Sequence, residues 1–250
     1  MSIYIVGNIW PESDHTMLFK QLFDTDSSTY TYFIADIDAG EAVLIDPVDT
    51  HIDEYLHLLN THKCSLKYSL ETHVHADHIT GGGKLRQKTD ALTAVSAACG
   101  AQTADLQLKD GDVISFANET ITVIATPGHT PGSISFLWRD RLFTGDALLI
   151  NGCGRTDFQG GSAESQYNSI VNKLFTLPDE TLVYPGHDYQ GRRVSCIGQE
   201  KVINPRLAGK SLDEFVKIMN NLNLPKPRLI DIAVPANRMC GVPENTMMQG

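Results

Sequence analysis

The chain has 250 residues, 42% of them hydrophobic, enough to bury a full core as one large domain. Its formal net charge of −10, with basic residues scattered in runs no longer than Arg192-Arg193, argues against nucleic acid as a partner, because phosphate binding needs clustered Lys and Arg. No apolar run approaches the ~18 residues of a membrane span, and five cysteines without a CxxC pair argue against both a disulfide framework and a zinc ribbon.

Residues 1–16 show neither the charged-then-apolar plan of a signal peptide nor the Arg-rich plan of a transit peptide, so a cytoplasmic protein is expected. The runs at 30–37 ("YTYFIADI") and 41–47 ("EAVLIDP") read as two strands joined by "DAG", a hairpin turn. Residues 50–62 place Ile52, Tyr55, Leu56 and Leu59 at helical spacing. His51, His57 and His62 lie on or beside that helix with no carboxylate constellation in the sequence, and read as solvated or packing histidines. A strand over 66–72 runs into "THVHADH" (72–78), and "HITGGGKLRQKT" reads as a glycine-rich loop entering a helix. "TAVSA" (93–97) is a short strand, and four β-type runs follow between 112 and 149. Residues 162–177 return to a helical pattern, and 181–188 ("TLVYPGHD") are a strand ending in a turn. Ser211 with Glu214 predicts a capping box for "LDEFVKIMNNL". Strand groups alternating with helices predict layered sheets with helices outside them.

The metal-capable residues fall just after strands. His73, His75, Asp77 and His78 follow the strand at 66–72, His129 sits in "TPGHTPG", Asp146 in "FTGDALL" and His187 in "YPGHD". Five of the nine histidines and two aspartates thus stand in four strand-end loops, where a rigid scaffold directs side chains toward a ligand. Imidazole with carboxylate, and no thiolate, suits Zn, Fe or Mn. One ion could take His73, His129 and Asp146, and a second Asp77, His78 and His187 with Asp146 bridging; spacing leaves both arrangements open. The five thiols, Cys153 included, read as reduced and mostly packing groups.

The HxHxDH motif followed by H, D and H resembles the metallo-β-lactamase superfamily. The segments "FDTDSSTYTYFIAD", "LIDPVDTHIDEY", "TPGHTPGS", "FTGDALLINGCGRTDFQGG", "VYPGHDYQG" and "FVKIMNNLNLPKP" resemble its ETHE1-like persulfide dioxygenase branch. The resemblance runs from about Met17 to about Gly241. It implies an α+β fold, an αββα sandwich of two mixed sheets flanked by helices, with residues 1–16 an extension and 17–250 a single domain. It implies one Fe(II) per chain on His73, His129 and Asp146, a two-histidine, one-carboxylate face that leaves positions open for substrate and O₂. His75, Asp77, His78 and His187 then orient ligands from outside the coordination sphere. Arg155 and Tyr189 stand where glutathione-using members contact the tripeptide, although Arg155 could instead pair with Asp157. The activity implied is oxidation of glutathione persulfide by O₂ and water to sulfite and glutathione, by a protein that relatives suggest is a homodimer. The alternative branch is hydroxyacylglutathione hydrolase, a two-metal thioesterase of the glyoxalase II type. That branch carries a longer helical C-terminal region and differs around "GCGRTDF".

Overall fold

The structure is a computed structural model that describes residues 17–242. The expected extension at 1–16 and the end of the 17–250 unit lie outside the described residues. One sheet takes β1 (Met17–Asp24), β2 (Thr29–Asp36), β3 (Glu41–Ile45), β4 (Ser65–Leu70), β5 (Leu92–Ser96) and β6 (Leu106–Leu108) in sequential order. Its first three strands are antiparallel and the remaining pairings parallel. The other takes β7 (Val113–Phe116), β8 (Glu119–Ala125), β9 (Ile134–Trp138), β10 (Arg141–Gly145), β11 (Leu182–Pro185) and β12 (Ser195–Cys196), with only β10–β11 parallel. Parallel neighbours need crossovers. Helix α1 (Ile52–His62) links β3 to β4, α2 (Gly82–Thr89) links β4 to β5, and α3 (Ala163–Asn172) links β10 to β11.

The period-two alternation of side chains sorts β2 between two cores. Tyr32 and Ile34 point into the central layer with Val43, Ile45, Phe136, Trp138, Phe143 and Tyr184. Phe33 and Ala35 point outward onto Ile52, Tyr55 and Leu59 of α1 and Leu85 of α2. On the far side, Leu142 and Val183 meet Ile170 of α3, Ile197 of α4 (Ile197–Ile203) and Phe215 of α5 (Leu212–Asn220). Each sheet is therefore covered on both faces, which is why every residue of β2 and of β10 is buried. This is the expected αββα sandwich.

The predicted strands and helices are present, most with boundaries displaced by a residue or two, while the run read to 149 ends as a strand at Gly145. The helix read over 162–177 stops at Asn172 and tightens into a 3-10 turn, Leu174–Thr176. Ser211 caps α5 in a complete capping box. Helix α6 (Ile230–Asn237) and strand β1 were not legible in the sequence pattern. All five cysteines are free, with Cys64, Cys153 and Cys240 buried.

Candidate metal centre

The strand ends bring the loop residues together at one edge of the sandwich. Asp46, closing β3 with a left-handed φ of 52°, accepts the Thr72 amide and hydroxyl, each at 2.7 Å. With its hydroxyl proton committed to Asp46, Thr72 accepts from Nδ1 of His73 at 2.9 Å, which turns the free Nε2 lone pair of His73 toward the centre. His129 is fixed in the same manner: its Nδ1 donates to the Arg155 carbonyl at 2.6 Å. Its Nε2 lies 3.7 Å from Oδ2 of Asp146. Asp146 follows Gly145, whose φ of 50° and whose approach to Thr72 leave no room for a side chain: a Cβ there would meet Thr72 Oγ1 at 2.4 Å.

Candidate donor atoms of His73, His129 and Asp146 all lie within 4.8 Å of one another. Burial, reinforced by charge on neighbouring His75, holds the His73 pKa well below the ordinary imidazole value. It is therefore a neutral imidazole whose Nε2 lone pair could ligate a metal. Burial works against charge on Asp146, yet the charge and hydrogen bond of His187 outweigh it and hold the carboxylate ionised. Two imidazole lone pairs and one free carboxylate oxygen converging at one point fit a single metal ion.

The other polar residues of the motif are engaged with one another. His187 donates from Nδ1 to Asp146 Oδ1 at 2.6 Å and from Nε2 to Asp77 Oδ2 at 2.9 Å. Burial opposes its charge, but the two carboxylates overcome this and raise its pKa well above the ordinary value. Both ring nitrogens of His187 are thus engaged by carboxylates in this arrangement. His78 shares Asp77 Oδ2 through Nδ1 at 2.9 Å. His75, Asp77 and His78 also hold donor atoms within 4.8 Å of one another; Nδ1 of His78 is tied to Asp77, while its buried Nε2 has no hydrogen-bond partner. His75 is fully buried, with Nε2 at 3.2 Å from Asp46 and 3.4 Å from Glu71. Burial resists its charge, but Asp46 and Glu71 raise its pKa to about 10, so it sits as a cation behind His73.

Two contributors escape sequence reasoning. Asn237 of α6 donates to the carbonyls of His75 and His78, and its Oδ1 accepts from Thr80 N, each at 2.9 Å. It clamps the motif loop from about 160 positions away, with no local signal to announce it. The second is a correction: His51 is not a solvated or packing histidine. It is 5% exposed and bonded to Asp24 through Nε2 at 2.9 Å and to Glu54 through Nδ1. Asp24 lies in β1, so no local sequence pattern pairs it with His51, whereas Glu54 stands three residues on and is the local signal.

A cleft of about 580 Å³ opens above the centre, with His129, Asp146 and His187 on its wall and Arg155, Arg206 and Arg228 around it. Arg155 forms a bidentate pair with Asp157 at 2.6 and 2.7 Å and donates to the carbonyls of Pro225 and Leu224. It thereby fixes the 224–228 segment beside the cleft. Tyr189 is exposed at the rim, its ring stacked on His187 at 6.1 Å and 9°. Cys153 borders the cleft as a thiol buried against Met219 and Arg206, and burial raises its pKa. It has the environment of a packing group and not of a thiolate nucleophile.

Residues 24–187 match the metallo-beta-lactamase superfamily, and the chain belongs to that superfamily. Within it, the chain is 49% identical over 228 residues to the mitochondrial persulfide dioxygenase ETHE1 of Mus musculus, spanning 90% of this chain and 89% of that protein. The crystal structure of ETHE1 from Myxococcus xanthus is 56% identical and superposes with a TM-score of 0.89, covering 90% of this chain and 100% of that one. Hydroxyacylglutathione hydrolase of Cereibacter sphaeroides is 36% identical over 167 residues, spanning 65% of this chain and 64% of that protein. Among the described residues, no helix is long and apolar enough to cross a membrane.

Proposed function

We propose that this protein is a mononuclear Fe(II) persulfide dioxygenase that converts glutathione persulfide, O₂ and water to glutathione and sulfite. The observation that carries the reading is the division of labour at Asp146. One oxygen is held by His187 and the other is free beside the Nε2 atoms of His73 and His129, an arrangement that supports a single metal position. Likeness to persulfide dioxygenases over nearly the whole chain supports it.

His73, His129 and Asp146 would hold the iron, the donor set of facial-triad oxygenases. Bound there, Fe(II) would supply the unpaired electrons that let triplet O₂ react with a closed-shell persulfide. The chain's own residues do the rest. Thr72 and the Arg155 carbonyl fix the tautomers of the two imidazoles, so both Nε2 atoms face the metal position. The His187 imidazolium cancels one carboxylate charge and stiffens Asp146. Arg206 and Arg228 give the cleft positive charge to meet the carboxylates of the tripeptide, while Tyr189 offers a ring and a hydroxyl at the rim. Arg155 shapes the cleft through its hold on residues 224 and 225.

Metal content of three proteins tests the assignment. Protein purified without air should carry about one iron per chain, His129→Ala should lose it, and His78→Ala should retain most of it, losing activity by about 10–100-fold as a residue outside the coordination sphere does. Iron loss in His78→Ala as complete as in His129→Ala, or two zincs per chain with thioester hydrolysis, would instead favour the two-metal hydrolase.

A further inference from the structure

A file of hydrogen bonds leads from the metal centre through the sheet to the outer surface. Thr29 Oγ1 lies 3.0 Å from both Asp77 Oδ2 and His187 Nε2. Ser27 Oγ is 2.7 Å from Thr29 Oγ1 and 2.5 Å from Asp24 Oδ2. The other oxygen of Asp24 meets His51 Nε2 at 2.9 Å, and the far nitrogen of His51 meets Glu54. Thr29, Asp24 and His51 are buried, whereas the Glu54 side chain is 44% exposed. No link in the file is missing, and its members can each give one proton while taking another: two hydroxyls, two carboxylates and an imidazole open at both nitrogens.

The reaction proposed above gives such a file a purpose, and the inference rests on that reading. Breaking the S–S bond of a persulfide and oxidising its outer sulfur to sulfite gives four electrons to O₂. Water supplies the third oxygen, and the balance releases protons: one persulfide, one O₂ and one water give one thiol, one sulfite dianion and a pair of protons. The cleft through which they could reach solvent is the one the tripeptide fills. We propose that Thr29, Ser27, Asp24, His51 and Glu54 form a proton-exit relay that runs from the centre past Ser27, on the wall of the cleft that substrate would fill, to the outer surface at Glu54. His51 is its turning point: a proton taken at Nε2 is matched by one released at Nδ1 to Glu54 and thence to water. These are relay residues; none touches the reacting atoms.

The test compares wild type with His51→Gln and Glu54→Gln, each checked for iron content and thermal midpoint. In dilute buffer, His51→Gln should lower kcat for O₂ uptake on glutathione persulfide about tenfold with KM unchanged, and ~100 mM imidazole should restore it, as removal of a proton-transfer group predicts. Glu54→Gln, at the exposed end, should show the same buffer-dependent loss and keeps the test open if His51→Gln fails to fold. A kcat equal to wild type in dilute buffer, or a loss that buffer does not restore, overturns the relay. Absence of O₂ uptake in the wild type would overturn the dioxygenase reading and the relay with it; activity in the wild type with no effect of the variants overturns the relay alone. A second readout needs no turnover. In the metal-free protein, the ring N–H resonances of His51 should shift on Thr29→Val through Ser27 and Asp24, and unchanged resonances would contradict the connection.

Discussion

Asp24 and His51 show how one buried pair answers to pH. Burial opposes the charge of each, but the partners prevail: the pKa of His51 is raised above 6.5 and that of Asp24 lowered below 3.8. The raised His51 stabilises the fold fully below 6.5 and loses this as pH rises through its folded value. The depressed Asp24 stabilises it above 3.8 and loses this as pH falls through its folded value. The thermal midpoints of wild type and His51→Gln should therefore differ most between these values and converge in alkali; a gap that widens as pH rises would contradict the pairing. At this scale the sequence displayed the seven loop residues but, without the family resemblance, not the division between metal and hydrogen bonds proposed for them. That division depends on which ring nitrogen is already tied, by Thr72 to His73, by a carbonyl to His129 and by two carboxylates to His187. Those partners lie in other elements.

Elements with a clean period were read correctly, and those without one were not. The Ser211–Glu214 box and the alternating strands of the second sheet declare themselves locally. Strand β1 buries side chains on both faces, so no polar face alternates with the apolar one. In α6, Pro235 lies inside the helix, where it gives up a backbone hydrogen bond and reads as a breaker. Yet α6 delivers Asn237 to the motif loop, where its carboxamide serves one amide and two carbonyls. Asn237→Ala would leave these buried groups unpaired, costing about 1–3 kcal/mol each where no water replaces it. Iron affinity should fall with the folded state retained, measured by chelator competition alongside circular dichroism. Unchanged affinity would show that the loop is held without the helix.

Over the whole molecule, two twice-covered sheets make a rigid edge on which four loops present their side chains, and this explains how residues from Asp46 to Asn237 meet within one site. The central layer is aromatic, with Phe19, Tyr32, Phe143 and Tyr184 in mutual contact at ring separations of 4.8–6.2 Å. Sequence pattern indicated layered sheets with helices outside them, and the resemblance carried by the HxHxDH motif and its flanking segments supplied the αββα sandwich. The chemistry rests on finer facts, and one measurement addresses it most directly: O₂ uptake and sulfite formation by the iron-loaded protein on glutathione persulfide, with S-2-hydroxyacylglutathione as the control. The account predicts one O₂ consumed and one sulfite formed per persulfide, with no hydrolysis of the thioester. Thioester hydrolysis without O₂ uptake on the persulfide would contradict it.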